Sequence, residues 1–428
     1  MNARHFAFAA ALFAAPAPAL ATCDAGFAPR DPASVAVGRL LFYDPILSGG
    51  RAVSCAGCHR ADFGTSDGVS LSLGDGGVGK GLERRVDPSN PPERRIPRNA
   101  QALFNLGAAE FRVFFHDGRL EETAEGLRTP LGDEMVAGFS SALAAQAMFP
   151  VLSPDEMAGH YGESDVSVAV RKGRVTQADG AWALIAARVD AIPAYREAFD
   201  GLIGERRVAF PDIADALADF IAFEWRADDS PYDRFLCDGA PLPAAAERGR
   251  LLFEGKAGCA ACHSGRFQTD HGFHAVAMPQ VGPGKAERFE RHARDTGRMR
   301  VTGREADAYR FRTPSLRNVA ATAPYGHAGA YATLEAAVRH HLDPVASLYA
   351  YDPAEAALPD LPGAADFTAT KDPAELAAIA EANELDPVAL TEAEVADLIA
   401  FLHALTDETA IKGRLGVPDL VPSGLALD

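Results

Sequence analysis

Cys55-Ala56-Gly57-Cys58-His59 decides the reading of this chain, and it has a near copy at Cys259-Ala260-Ala261-Cys262-His263. Each is a C-x-x-C-H, the attachment signal for c-type haem. The two thiols add across the haem vinyl groups, and the following His is placed to ligate the iron. The two histidines stand 204 positions apart (263 − 59). The chain has 6 Cys and 12 His in 428 residues, a composition that predicts ~0.002 such pentapeptides by chance. A zinc site needs four ligands, usually from paired C-x-x-C units. A thioredoxin-like disulfide needs a βαβ context. Neither surrounds these motifs, so the pattern predicts two covalently bound haem c groups.

Working outward, the flanks repeat as well. Gly38-Arg39-Leu40-Leu41-Phe42 precedes the first motif and Gly249-Arg250-Leu251-Leu252-Phe253 the second. Arg98-Asn99 and Arg317-Asn318 follow, then His116-Asp117-Gly118 and His327-Ala328-Gly329. Each half closes on a similar helix, Ala218-Asp219-Phe220-Ile221-Ala222-Phe223 and Ala396-Asp397-Leu398-Ile399-Ala400-Phe401. The later helix opens with Thr391 and Glu394 in capping-box spacing. Its Val395, Leu398, Ile399 and Leu402 form one apolar face. Turn residues cluster at 238–243. The expected fold is mostly α: two cytochrome c-like haem domains related by internal duplication, with long loops and little β. The expected division is a signal peptide at 1–21, an N-terminal domain at 22–240 and a C-terminal domain at 241–428.

Arg4, the apolar run Phe6 to Ala15 and Ala19-Leu20-Ala21 read as a cleaved secretory signal. The run is too short to span a bilayer, and no other segment reaches ~18 apolar residues. The expected product is a periplasmic protein without a membrane anchor. Loss of Arg4 takes the formal charge from −18 to −19. That acidity argues against nucleic acid and anionic membranes as partners. Cys23 and Cys237 lie outside the haem motifs. In an oxidising compartment they are either a disulfide or two unrelated thiols.

With these residues in place, the chain resembles the bacterial di-haem cytochrome c peroxidases, a family that includes the MauG-type enzymes maturing methylamine dehydrogenase. The carrying segments are the two haem motifs, Phe115-His116-Asp117-Gly118-Arg119, Arg312-Thr313-Pro314-Ser315-Leu316-Arg317-Asn318, and Thr322-Ala323-Pro324-Tyr325-Gly326-His327. The resemblance implies hydrogen peroxide bound at the N-terminal haem. It implies electrons entering through the C-terminal haem from a small reduced cytochrome c or cupredoxin. A MauG-like enzyme would instead oxidise side chains of a partner protein. A non-catalytic di-haem electron carrier is the reading from another class. The resemblance also implies a calcium ion held by Asn99 and the carbonyls of Thr322 and Pro324, oxygen donors that suit this cation.

The chain departs from the family pattern in places. Asp75 stands where many members carry a distal His, which leaves the sixth site of the N-terminal haem open. Phe114 and Ala124 stand where the family's Gln and Glu over the peroxide are expected. Breaking the O–O bond unequally needs a group that moves a proton between its oxygens. His116 and Glu125, with Glu121 and Glu122 beside them at the start of an expected helix, are the candidate catalytic groups. Phe104 takes the place of the aromatic residue, commonly Trp, between the haems.

The resemblance places the second ligand of the C-terminal haem fourteen residues after His327, at His341. Helix periodicity points the same way. Leu334, Ala337, Val338 and His341 share one face. His340 is turned ~100° away.

Overall fold

The computed structural model describes residues 26–286, 290 and 292–427. The signal segment and Cys23 lie outside the described residues. Among the described residues the chain is mostly helices and long loops, with three small antiparallel sheets. Among the described residues no helix is long and apolar enough to cross a membrane.

Helix Pro32–Tyr43 starts on Pro32, and the Asp31 side chain accepts from Ala33 N, satisfying an otherwise orphaned donor. It packs across helix Phe210–Glu224. The crossing is close because Gly38 has no side chain: a Cβ there would lie 1.9 Å from the carbonyl oxygen of Ala216. Helix Ala244–Glu254 packs on Glu392–His403 in the same manner, and a Cβ on Gly249 would lie 1.9 Å from the Asp397 oxygen. Both glycines are therefore required for backbone approach. The contacts make Phe220 the counterpart of Phe401: the Phe220 Cβ lies 2.9 Å from a Cβ built on Gly38, and the Phe401 Cβ 2.9 Å from one built on Gly249. The sequence pairing of Phe223 with Phe401 is thus displaced by about one turn. Phe223 is 39% exposed, whereas Phe220 and Phe401 are sealed in the core.

The larger apolar core gathers Phe42, Phe220, Trp225 and Phe199 in the N-terminal half. A smaller one holds Phe253, Leu398, Phe401 and Leu405. The C-terminal tail crosses back to the larger core, where Ala410 and Val421 are buried with Leu425 and Leu427 against them. The buried Glu224 carboxylate accepts from Leu415 N at 2.7 Å and Gly416 N at 2.8 Å. Ser423 Oγ donates to Asp44 at 2.6 Å. A cut after residue 240 does not account for this strap. Cys237 is disulfide-bonded, while the four haem-motif cysteines form no disulfide.

The glutamates expected on a helix lie on a β-meander. Val113–Phe114 pairs with Leu120–Thr123, which turns at Ala124-Glu125 into Gly126–Arg128. The meander is tied to the other half of the chain. Arg98 donates to Asp117 at 2.6 Å and, through two nitrogens, to Asp295 at 2.7 and 2.8 Å. Arg298 donates to the carbonyls of Asp117 and Gly118 and pairs with Glu121. Burial opposes charge on Asp117 and Asp295, but Arg98 prevails and holds both well below the usual carboxylate range.

Candidate haem sites

The two attachment motifs fold alike. Each forms a 3-10 turn, and the His backbone N–H donates to the first Cys carbonyl at 2.9 Å in both. In each, a left-handed residue follows: Thr65 at φ 63° and Gln268 at φ 47°. Their carbonyls lie 2.9 Å from His59 Nδ1 and 3.0 Å from His263 Nδ1. A carbonyl only accepts, so Nδ1 carries the proton in both rings. Nε2 is left with a lone pair for a metal, the usual way an outer partner orients a His ligand. Burial pushes both imidazoles down, His263 to about 4, which keeps that lone pair available.

His341 is set in the same way. It lies on helix Leu334–Leu342, capped by Thr333. Its Nδ1 donates to the Ala337 carbonyl at 2.8 Å. Its charge also acts on His263, so the two rings are neighbours. His340 is fully committed: Nδ1 accepts from Tyr331 OH at 3.0 Å and Nε2 donates to the Val276 carbonyl at 2.8 Å.

A cavity of about 1560 Å³, measured to its open mouth, lies over the first motif. Cys55, Cys58 and His59 line it, with Phe42, Leu103 and Phe210 among its apolar walls. It also contains Arg312, whose guanidinium donates to the carbonyls of Phe115 and Thr313 and meets no carboxylate among the described residues. Burial alone pushes its pKa down to about 10. A cation buried without a counter-charge is costly. A haem would bring propionates to such a site, and thiols, His lone pair, apolar walls and cation together fit one.

His116 lines the same cavity, and its ring makes no hydrogen bond among the described residues. Burial, then the charges of Arg98, His327 and Arg312, hold it well below its ordinary value, so it is neutral. Phe114 lines the cavity too. Ala124 and Glu125 do not: both are exposed at the hairpin turn, where Glu125 N donates to Thr123 Oγ1. The meander projects Glu125 into solvent, which removes it as a candidate for chemistry at the haem.

In their place the cavity offers Gln146 and Glu156. Sequence reading missed this pair, although its separation of ten (156 − 146) equals that of positions 114 and 124. Recognising the hairpin at 120–128 would have carried the search past it. Glu156 sits on a single π-turn, Pro154–Ala158, a feature that frequently marks functional sites. Burial raises its pKa, while Lys285 and Arg119 partly oppose the rise.

Asp75 does not line the cavity. Its backbone N–H donates to the Asp155 carbonyl and its carboxylate accepts from Asn90. Phe104 is buried in the N-terminal core. Asn99 Nδ2 donates to the carbonyls of Val69 and Ser70, and the Thr322 and Pro324 carbonyls accept no hydrogen bond among the described residues.

Residues 32–240 match the family profile described as di-haem cytochrome c peroxidase. The chain is 31% identical over 318 residues to the methylamine utilization protein MauG of Methylorubrum extorquens, covering 73% of this chain and 70% of that protein. It is 29% identical over 396 residues to the cytochrome-c peroxidase IdrP1 of Denitromonas iodatirespirans, covering 87% and 81%. Among solved structures it is similar to a MauG-like protein associated with microbial copper homeostasis, at 27% identity and a TM-score of 0.57, covering 90% and 92% of the two chains.

Proposed function

Since this chain belongs to the di-haem cytochrome c peroxidase family, whose members carry two covalent haems c, we propose that it reduces hydrogen peroxide at the His59 haem with electrons delivered through the His263 haem. The observation that carries this reading is the difference between the two sites. Over His59 lies a roomy cavity with Gln146 and Glu156 in its wall, and the second His in that wall, His116, has no carbonyl among the described residues to orient its ring as Ala337 orients His341. Within electrostatic reach of His263 lies a second imidazole, His341, whose Nε2 makes no hydrogen bond among the described residues.

When bound, the haems supply the redox-active irons and store electrons. The chain does the rest. Thr65 and Gln268 fix the ligand tautomers. Gln146 is placed to hydrogen-bond peroxide. Glu156, with its raised pKa, is the group that moves the proton between the peroxide oxygens, a role that contributes roughly 10²–10⁴-fold in rate. His116 forms a neutral wall and is too weak a base to lead. The shared Gly-to-helix contact supports reading the halves as an internal duplication. Calcium on Asn99, Thr322 and Pro324 uses carbonyls that otherwise have no donor. The same proposal includes export to the periplasm, which the leader-like residues 4–21 support, and a small redox protein as the donor.

The identity with MauG supports a second reading, oxidation of side chains on a partner protein. One experiment separates them. Holoenzyme, reduced small cytochrome c and peroxide are mixed, and cytochrome oxidation is followed at 550 nm. Turnover is expected. A protein carrying both haems that reacts with peroxide yet leaves every small donor reduced would overturn the peroxidase reading.

A further inference from the structure

Two cations in the cavity, Arg312 and Lys285, come from the far half of the chain. Lys285 lines the cavity over His59, yet it lies beyond the second haem motif in sequence. Its loop is held rigidly. Gly282 and Gly284 have φ of 79° and 62°. A Cβ on Gly282 would come 2.1 Å from Leu71, and one on Gly284 would come 2.5 Å from the Ala293 backbone. Lys285 N donates to the Arg294 carbonyl at 3.0 Å, and Arg94 holds the Ala286 carbonyl at 3.0 Å. The backbone therefore anchors the base of this side chain at the cavity wall.

The ammonium makes no hydrogen bond or ion pair among the described residues. The other cations around it are mostly engaged. Arg98 is divided between Asp117 and Asp295. Arg119 reaches Asp117 at 3.4 Å and lies over the Phe115 ring at 4.0 Å. Arg312 is the partner left for a propionate. Lys285 is thus a surplus cation facing the same space as Glu156.

We propose that Lys285 is the proton donor and anion-stabilising group of the peroxide cavity, acting as a pair with Glu156. This rests on the peroxide reading above. Hydrogen peroxide carries two protons. Glu156 takes the one on the oxygen held at the haem. Lys285 gives a proton to the outer oxygen as the O–O bond breaks and its electron pair moves outward. The outer oxygen leaves as water, and the proton on Glu156 restores Lys285. The two electrons taken up come from the one-electron donor protein, and two solvent protons complete the second water.

Burial, then Arg119 and Arg98, push the Lys285 pKa down to about 8, while Glu156 and Asp117 favour its charge. The ammonium is therefore a usable acid near neutrality. His59, His116 and Arg312 face the same cavity, and the first two are neutral there.

The test uses holoenzyme and fluoride, which needs no turnover. At pH 6.5, Lys285→Met is expected to bind fluoride about tenfold more weakly, the order of one screened charge. Its peroxide kcat/KM is expected to lose the alkaline limb near pH 8. Lys285→Arg, charged at every accessible pH, is expected to keep the fluoride affinity and carry the limb above pH 10. Lys285→Gln serves if the Met variant does not load haem. Wild-type fluoride affinity and an unchanged limb in the neutral variants would overturn the proposal, as would a change confined to the haem potential, which marks a propionate anchor only. Fluoride binding in an enzyme inert to peroxide would instead count against the peroxidase reading alone.

Discussion

The two haem regions use one ligand device in two settings. His59 and His263 each donate Nδ1–H to the carbonyl of a left-handed residue, so both present the same Nε2 lone pair. What differs is the opposite side. The N-terminal region has a cavity edged by Glu156, Gln146, Lys285 and His116. The C-terminal region has His341, already oriented by the Ala337 carbonyl. On the proposed reading, reactivity is set by what faces the ligand. An open, acid-bearing face suits peroxide, and a closed one suits electron transfer, because an iron with both axial positions filled has no place for substrate.

The largest effect expected is loss of a whole cofactor. Replacing Cys259 and Cys262 with Ala should leave one haem by pyridine haemochrome, still able to bind cyanide at the N-terminal site. Two covalent haems remaining would break the comparison at its root. Next comes Glu156→Gln, expected to lower peroxide turnover by roughly 10²–10⁴-fold with the low-spin spectrum of the C-terminal haem unchanged. Glu125→Gln is the paired control and should leave turnover at the wild-type level, since that side chain is at the exposed hairpin turn.

A third comparison concerns the scaffold. Gly38→Ala and Gly249→Ala each drive a methyl into a backbone carbonyl. Each should cost about 1–3 kcal/mol in denaturant unfolding, the range for overpacking. A neutral result at either glycine would show that the two helix crossings are not equivalent. The smallest effect is expected at Phe223→Ser. Its ring is outside the core, so stability should change by less than about 0.5 kcal/mol, whereas Phe220→Ala should cost roughly 3–5 kcal/mol.

Much of this was legible in the sequence. The two pentapeptides fixed which residues could hold haem, and helical periodicity separated His341 from His340, whose nitrogens prove to be occupied. What sequence could not show depends on chain reversals. The hairpin at 120–128 has weak alternation, so Glu121 and Glu125 read as helical, and the cavity pair Gln146 and Glu156 lies beyond the stretch in which that reading looks. The repeat helices were paired a turn out of register because both carry Ala-Asp and Ile-Ala-Phe, and only the glycine contact reveals which Phe is buried. Lys285 had no local signal, since its place in the cavity comes from a loop of one half reaching into the other. The tail strap from Ala410 to Leu427 depends on the same kind of long-range return.

The central claim is that one haem is open and the other closed by His341. Low-temperature electron paramagnetic resonance of the fully oxidised holoenzyme, before and after cyanide, tests it most directly. The account predicts one high-spin signal that cyanide converts and one low-spin bis-imidazole signal that it leaves alone, with the latter abolished in His341→Ala and retained in His340→Ala. Two low-spin signals indifferent to cyanide, or a bis-imidazole signal that survives His341→Ala, would contradict it.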